Sequence, residues 1–111
     1  MIPVKRTSTP DILKQNADKW LKKLKDLKAK AKILFRIQKL ERDGHFGDCK
    51  PVGEGVRELK INFGPGYRVY FARLAGDSLI LLLLGGDKKT QERDIDMAVE
   101  LLADFKERYE I

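Results

Sequence analysis

Cysteine and histidine are nearly absent: the 111-residue chain holds one of each, Cys49 and His45. A single cysteine excludes an internal disulfide framework, and the two residues together are too few for a Cys/His zinc centre, which needs three or four such ligands. No metal and no cofactor is expected, and the thiol usage fits a cytoplasmic compartment. Long apolar runs are missing too. The longest, Leu79–Leu84, is six residues against the ~20 that cross a bilayer, and no signal-like apolar core stands at the N-terminus. Neither membrane insertion nor secretion is expected. The Gly-x-Ser-x-Gly elbow and the His-Glu-x-x-His helix are absent as well, which removes two common hydrolase chemistries.

What is present is charge over a modest core. Hydrophobic residues make up 42% and charged residues 36% of the chain, enough apolar material to fold and far from a disordered composition. The length suits one domain, residues 1–111, because two cores of half this size would be too small. The net charge of +6 is polarised: residues 1–60 hold sixteen Lys and Arg against eight Asp and Glu, whereas residues 61–111 hold seven against nine. A one-sided positive field attracts polyanions, with RNA, DNA or an acidic protein as candidates; a lysine-rich solvated helix surface has the same composition.

Along the chain, Ile2–Thr7 alternates weakly and reads as a short strand. Ser8-Thr9-Pro10-Asp11 supplies a cap hydroxyl, a first-turn proline and an acid, so a helix is expected to begin there, with Leu13, Ala17, Trp20, Leu21 and Leu24 as its apolar stripe. Asp26 is placed to cap a second helix with apolar Leu27, Ala31, Leu34, Ile37 and Leu40, and Gly44 to end it. Together these form an αα-hairpin. Cys49–Val52 reads as a short edge strand. The period then becomes two over Val56–Asn62, Gly64-Pro65-Gly66 turns, Tyr67–Leu74 is aromatic and β-branched, Ala75-Gly76-Asp77 turns again, and Ser78–Leu84 is a continuous apolar strand of the kind buried on both faces. Thr90 opens a last helix with an acidic first turn and apolar Ile95, Ala98, Val99, Leu102, Phe105 and Tyr109. The expected fold is α+β, β-α-α-β-β-β-α, with a mostly antiparallel sheet of three to five strands. Helices are expected on one face, leaving the other partly open with Glu58, Lys60, Asn62, Arg68 and Tyr70 on display.

Gly85-Gly86-Asp87-Lys88-Lys89-Thr90 ends like a phosphate loop but lacks its glycine spacing, so a nucleoside-triphosphate site is rejected; a strand-to-helix turn with two lysines remains. The order of motifs is more specific. Trp20–Asp26, Gly47–Val56, Glu58–Ile61, Gly64–Phe71 and Leu83–Gln91 resemble the phage-derived addiction-module killer proteins, HigB-like toxins of the RelE/ParE superfamily. The resemblance spans about Trp20 to Leu102, and Lys60 takes the place of an arginine common there. It implies the toxin of a type II toxin–antitoxin module that cleaves mRNA, often on the ribosome, and is held inactive by a co-expressed antitoxin, expected here to be a helix-turn-helix protein. The same superfamily includes ParE-like inhibitors of DNA gyrase, which are not enzymes.

The residues are compatible with RNA cleavage. Attack by a ribose 2′-hydroxyl on the adjacent phosphodiester needs a base, a proton donor and cations around the phosphorane, and no metal. Arg68 offers a planar fork to a phosphate, Lys60 and Lys88 point charges, and Glu58 is placed either to take the 2′ proton or to pair with Arg68 or Lys60. Tyr70 is a base-stacking candidate or a cross-strand aromatic. Lys89 and Arg93, at the start of the last helix, and the hairpin lysines Lys22, Lys23, Lys28 and Lys32 are candidate RNA contacts through phosphate. His45 reads as a loop residue, and Cys49 and Trp20 as packing residues.

Overall fold

The computed structural model describes residues 11–14, 16–43, 49–74 and 79–109. The chain runs β1 (Asp11–Lys14), α1 (Asn16–Lys23), α2 (Leu27–Asp43), β2 (Cys49–Gly53), β3 (Val56–Ile61), β4 (Tyr67–Leu74), β5 (Leu79–Asp87), one 3-10 turn (Lys88–Thr90) and α3 (Gln91–Tyr109). The strands form a single sheet in the order β1-β5-β4-β3-β2. All neighbours are antiparallel except β1, which runs parallel to β5. The α+β class, the helical hairpin and the antiparallel meander are as the sequence predicts. The predicted strand at Ile2–Thr7, the cap at Ser8–Pro10, the Gly44 cap, His45 and the turn at Ala75–Asp77 lie outside the described residues.

One boundary is corrected. Asp11–Lys14, expected in the first helix, is a strand whose backbone pairs Asp11 with Leu79 and Leu13 with Leu81, and the helix begins only at Asn16. The partner is 68 residues away in sequence, so local periodicity carries no trace of it, and the pairing covers the edge that β5 would otherwise leave bare. The second boundary holds: Asp26 caps α2, its carboxylate accepting from the Ala29 N–H at 3.1 Å and its carbonyl from Lys30 at 3.0 Å. A 3-10 turn capped by Asp87 precedes the last helix, which begins directly after Thr90. The Asp87 carboxylate accepts from the Lys89 N–H at 2.9 Å, which inserts the 3-10 turn before α3.

Strand alternation sorts side chains onto two covered faces. On one, Leu59, Ile61, Val69, Phe71, Ile80 and Leu82 pack with Ala17 and Leu21 of α1 and Ile33, Ile37 and Leu40 of α2. On the other, Val56, Tyr70, Ala72, Leu74, Leu81 and Leu83 pack with Ala98, Leu102 and Phe105 of α3. The expectation of one open face is therefore wrong. An amphipathic α3 has to bury its own stripe somewhere, and the second face of the sheet is where it does so. A bulge in β5 adjusts the fit: Tyr70 pairs with Leu84 and Phe71 with Leu82, so Leu83 has no opposite number, and Leu83 and Leu84 both serve the α3 core.

Turns follow the backbone needs of glycine. The β2–β3 hairpin closes through Glu54 and Gly55 at φ of 51° and 84°, positive at both central positions as a tight two-residue connection requires. Gly64 and Gly66, at 57° and 83°, shape the β3–β4 turn, where the Gly66 N–H donates to the Phe63 carbonyl at 3.1 Å.

Candidate functional site

Register places the candidate residues in two adjacent rows under the start of α3. Lys60, Arg68 and Gly86 lie abreast on β3, β4 and β5, and Glu58, Tyr70 and Leu84 form the next row. Within this patch Glu58 is 2% exposed, Arg68 5% and Tyr70 0%. The side chains expected on an open face are thus enclosed, because the first turns of α3 close over them. Lys60, at the rim, is exposed.

The enclosed groups hold one another. Arg68 Nε stands 3.5 Å from Glu58 Oε2, and the same carboxylate oxygen accepts from Gln91 Nε2 at 2.6 Å. At the far end of the guanidinium, Arg68 Nη1 donates to the Gly66 carbonyl at 2.8 Å. Asp94, 8% exposed, accepts from the Thr90 hydroxyl at 2.5 Å. Two carboxylates and one guanidinium taken out of water are costly, and only mutual pairing and these hydrogen bonds offset that cost. The Tyr70 hydroxyl lies among them, beside the Glu58 carboxylate, with no well-formed hydrogen bond among the described residues. Burial, then the nearby Glu58 and Asp94 carboxylates, push its ionisation well above the usual phenol range, so it is a neutral group at any working pH and no base.

Two adjacent glycines make the closure possible. A Cβ on Gly85 would overlap the ring of Trp20 from α1, and a Cβ on Gly86 would overlap the Asp94 carboxylate from α3. Trp20 itself packs edge-on to Tyr67, with centroids 6.1 Å apart. The Gly-Gly-Asp segment is therefore a packing and capping device rather than a phosphate loop, and it sets Lys88 beside the site: a Cβ on Gly66 would lie 3.3 Å from Arg68 Nη1 and 3.7 Å from Lys88 Cβ.

Of the predicted site residues, Glu58, Arg68, Tyr70, Lys60 and Lys88 come together at this end of the sheet. Lys89 and Arg93 are exposed and line, with Lys88, Thr90, Gln91 and Glu92, a hollow of about 430 Å³ over the start of α3. Lys22, Lys23, Lys28 and Lys32 do not join them. They are exposed on α1 and α2, in the layer across the sheet from α3, where Lys22 pairs with Asp18 at 3.2 Å and Lys32 sits over the Phe63 ring at 5.1 Å. Cys49 is a half-buried edge residue whose thiol burial pushes up, which leaves it the packing role expected. Sequence reasoning placed neither Asp94 nor Gln91 in the cluster. A polar residue one turn inside an amphipathic helix signals burial only when the facing sheet is known to be covered.

A search against family models places residues 19–103 in the family described as Phage derived protein Gp49-like (DUF891). The chain belongs to the Gp49-like family. The match runs from within α1 through most of α3 and so covers both rows of the site. A Gp49-like relative, an uncharacterized protein of Haemophilus influenzae (strain ATCC 51907 / DSM 11121 / KW20 / Rd), is 55% identical over 86 residues, 78% of this chain and 84% of that one. Among solved structures, a double arginine-to-alanine mutant of the E. coli toxin RelE in the free state superposes with a TM-score of 0.66 at 15% identity, covering 83% of this chain and 96% of that one. The Gp49-like fold is thus RelE-like, in agreement with the resemblance carried by the motifs. Among the described residues no group of His, Cys, Asp and Glu is arranged to hold a metal, and no helix is long and apolar enough to cross a membrane.

Proposed function

We propose that this protein is the toxin of a type II toxin–antitoxin module and that it acts as an endoribonuclease on mRNA, on the ribosome, thereby stopping translation. The observation that carries the reading is the convergence of Lys60, Arg68 and Lys88, from β3, β4 and the turn after β5, at one end of the sheet. A phosphodiester set there meets two exposed ammonium groups backed by a buried guanidinium. In the reaction the 2′-hydroxyl loses its proton to a base, O2′ bonds to phosphorus, and the 5′ oxygen leaves as its proton is supplied, giving a 2′,3′-cyclic phosphate and a 5′-hydroxyl. Cations matched to the charge gathered on the phosphorane account for the acceleration, and losing one such donor costs about 10²–10³ in rate. The hairpin lysines add affinity for ribosomal RNA without chemistry. The controlling partner is a helix-turn-helix antitoxin encoded nearby, with an acidic segment complementing the basic half of the chain.

The second reading, a ParE-like gyrase inhibitor, draws on the enclosure of Glu58 and Arg68. A buried ion pair serves a non-enzymatic fold equally well. The experiment is to induce the chain alone in bacteria and map mRNA 5′ ends, with and without the neighbouring reading frame, beside a gyrase supercoiling assay. New 5′ ends that vanish on co-expression support the toxin ribonuclease; intact mRNA with lost supercoiling supports the inhibitor. Lys60→Ala and Lys88→Ala are the clean variants because both residues are exposed, and each should lower cleavage by about 10²-fold without changing the melting temperature. Arg68→Ala is not clean: it strands the Glu58 carboxylate in the interior and should cost about 3–5 kcal/mol of stability. Neutralising Lys22, Lys23, Lys28 and Lys32 should flatten the salt dependence of RNA binding by roughly 0.7 to 0.9 log–log units per lost phosphate contact.

A further inference from the structure

We propose that Gln91 and Gly66 are positioning residues that clamp the Arg68 guanidinium from its two ends, and that the buried Glu58 carboxylate is the middle of this clamp rather than a base. The consequence for turnover rests on the ribonuclease reading; the clamp itself rests on geometry.

An ionised carboxylate only accepts hydrogen bonds, so the Gln91 amide must present its nitrogen to Glu58. Their contact is 2.6 Å, short for a hydrogen bond to a carboxylate. The same Oε2 faces Arg68 Nε at 3.5 Å, a charge pairing without a hydrogen bond, so the place of that oxygen biases the place of Nε through charge. The opposite end of the fork is fixed by Nη1 donating to the Gly66 carbonyl at 2.8 Å. Gly66 adopts φ +83°, and a Cβ there would press on Nη1 from 3.3 Å, so the position both receives the guanidinium and makes room for it. Glu58 has no path to a ribose hydroxyl: it is 2% exposed, and its Oε2 accepts from Gln91 and pairs with the Arg68 charge. The clamp also ties the first residue of α3 to β3 and β4, so a shift at the start of the helix is felt at Arg68. Displacements of about 1 Å in such a group cost on the order of 10²-fold in turnover.

The test uses the full chain, labelled with nitrogen-15, and follows the Arg68 Nε–H resonance together with mRNA cleavage in a purified translation mixture. Gln91→Ala should shift or broaden that resonance and lower kcat by about 10- to 100-fold, with KM within twofold and the melting temperature near the parental value. Gln91→Glu should behave likewise at pH 8 and recover toward pH 6, where a proton shared by two facing carboxylates restores the missing donor; a residue that only packs would show no such recovery. Gly66→Ala should disturb the same resonance from the other end. An unchanged Nε–H signal with parental kcat in Gln91→Ala overturns the proposal, and so does a loss confined to KM, which would make Gln91 a substrate contact. If the parent leaves RNA intact, the ribonuclease reading fails, and the Nε–H resonance alone then decides for or against the clamp.

Discussion

Gly85 and Gly86 are neighbours in sequence and face opposite sides of β5, and they meet different things: the Trp20 ring on one side, the Asp94 carboxylate on the other. That contrast extends to the whole sheet. The face under α1 and α2 is closed by aliphatic and aromatic side chains. The face under α3 is apolar along Leu81, Leu83, Ala98 and Leu102 but ends in Glu58, Arg68, Gln91 and Asp94. Apolar contact is non-directional and gains from any close packing, whereas a buried charge is tolerated only in the geometry that pairs it. One face therefore sets stability, and the polar end of the other fixes the position of particular atoms.

The largest effects should come where the two faces are alike. Leu82 and Leu83 are both 0% exposed and point to opposite cores. Leu82→Asp and Leu83→Asp should each strand a carboxylate at a cost of several kcal/mol and leave no cooperative melt by circular dichroism. Folding of either variant would mean that its helix layer lifts away without loss of the sheet.

Gly85→Ala and Gly86→Ala come next and should separate the faces. In Gly85→Ala the methyl meets a ring held between β5 and Tyr67, so all of α1 must shift, at a cost of about 1–3 kcal/mol. In Gly86→Ala it meets the end of the Asp94 side chain, which can swing away; the loss is its bond with Thr90, about 0.5–1.5 kcal/mol. Hydrogen exchange should show faster opening throughout the chain for Gly85→Ala and faster opening confined to the start of α3 for Gly86→Ala. Equal, global effects would erase the distinction.

The sequence disclosed much of this and hid part of it for physical reasons. Period-two alternation over Val56–Asn62 and the aromatic run at Tyr67–Leu74 located β3 and β4, and placed Glu58, Lys60, Arg68 and Tyr70 on one face, because register and parity are local properties. Coverage is not local. Whether that face is wet depends on where α3 docks, and the one hint lay in the unbroken run Leu79–Leu84, which needs two covered faces and so conflicts with an open one. The β5 bulge leaves no mark in a run of leucines, and β1 is written only in its distant partner. Gln91 and Asp94 read as ordinary polar helix residues for the same reason.

The smallest effect at neutral pH, and the most diagnostic of the polar end, belongs to Tyr70→Phe. The hydroxyl is fully buried and makes no well-formed hydrogen bond among the described residues, so removing it discards a poorly satisfied group and should leave stability within about 1 kcal/mol of the parent or slightly higher. Its mate on the other face, Phe71, has no such group, so in Tyr70→Phe the two rings differ only in what surrounds them. The difference should grow with alkali. A phenol in the unfolded chain ionises near pH 10, whereas burial and the Glu58 and Asp94 carboxylates hold that of the folded chain protonated well beyond it. Above pH 10 the unfolded state thus binds fewer protons than the folded one, and the parent should lose up to ~1.4 kcal/mol per pH unit through this group. Tyr70→Phe lacks that loss. Urea midpoints of parent and variant measured from pH 7 to 11 should run level to about pH 10 and then diverge in favour of the variant, other alkaline titrations cancelling in the difference. Curves that stay level to pH 11 would place the hydroxyl in contact with water and the end of α3 in motion at that site.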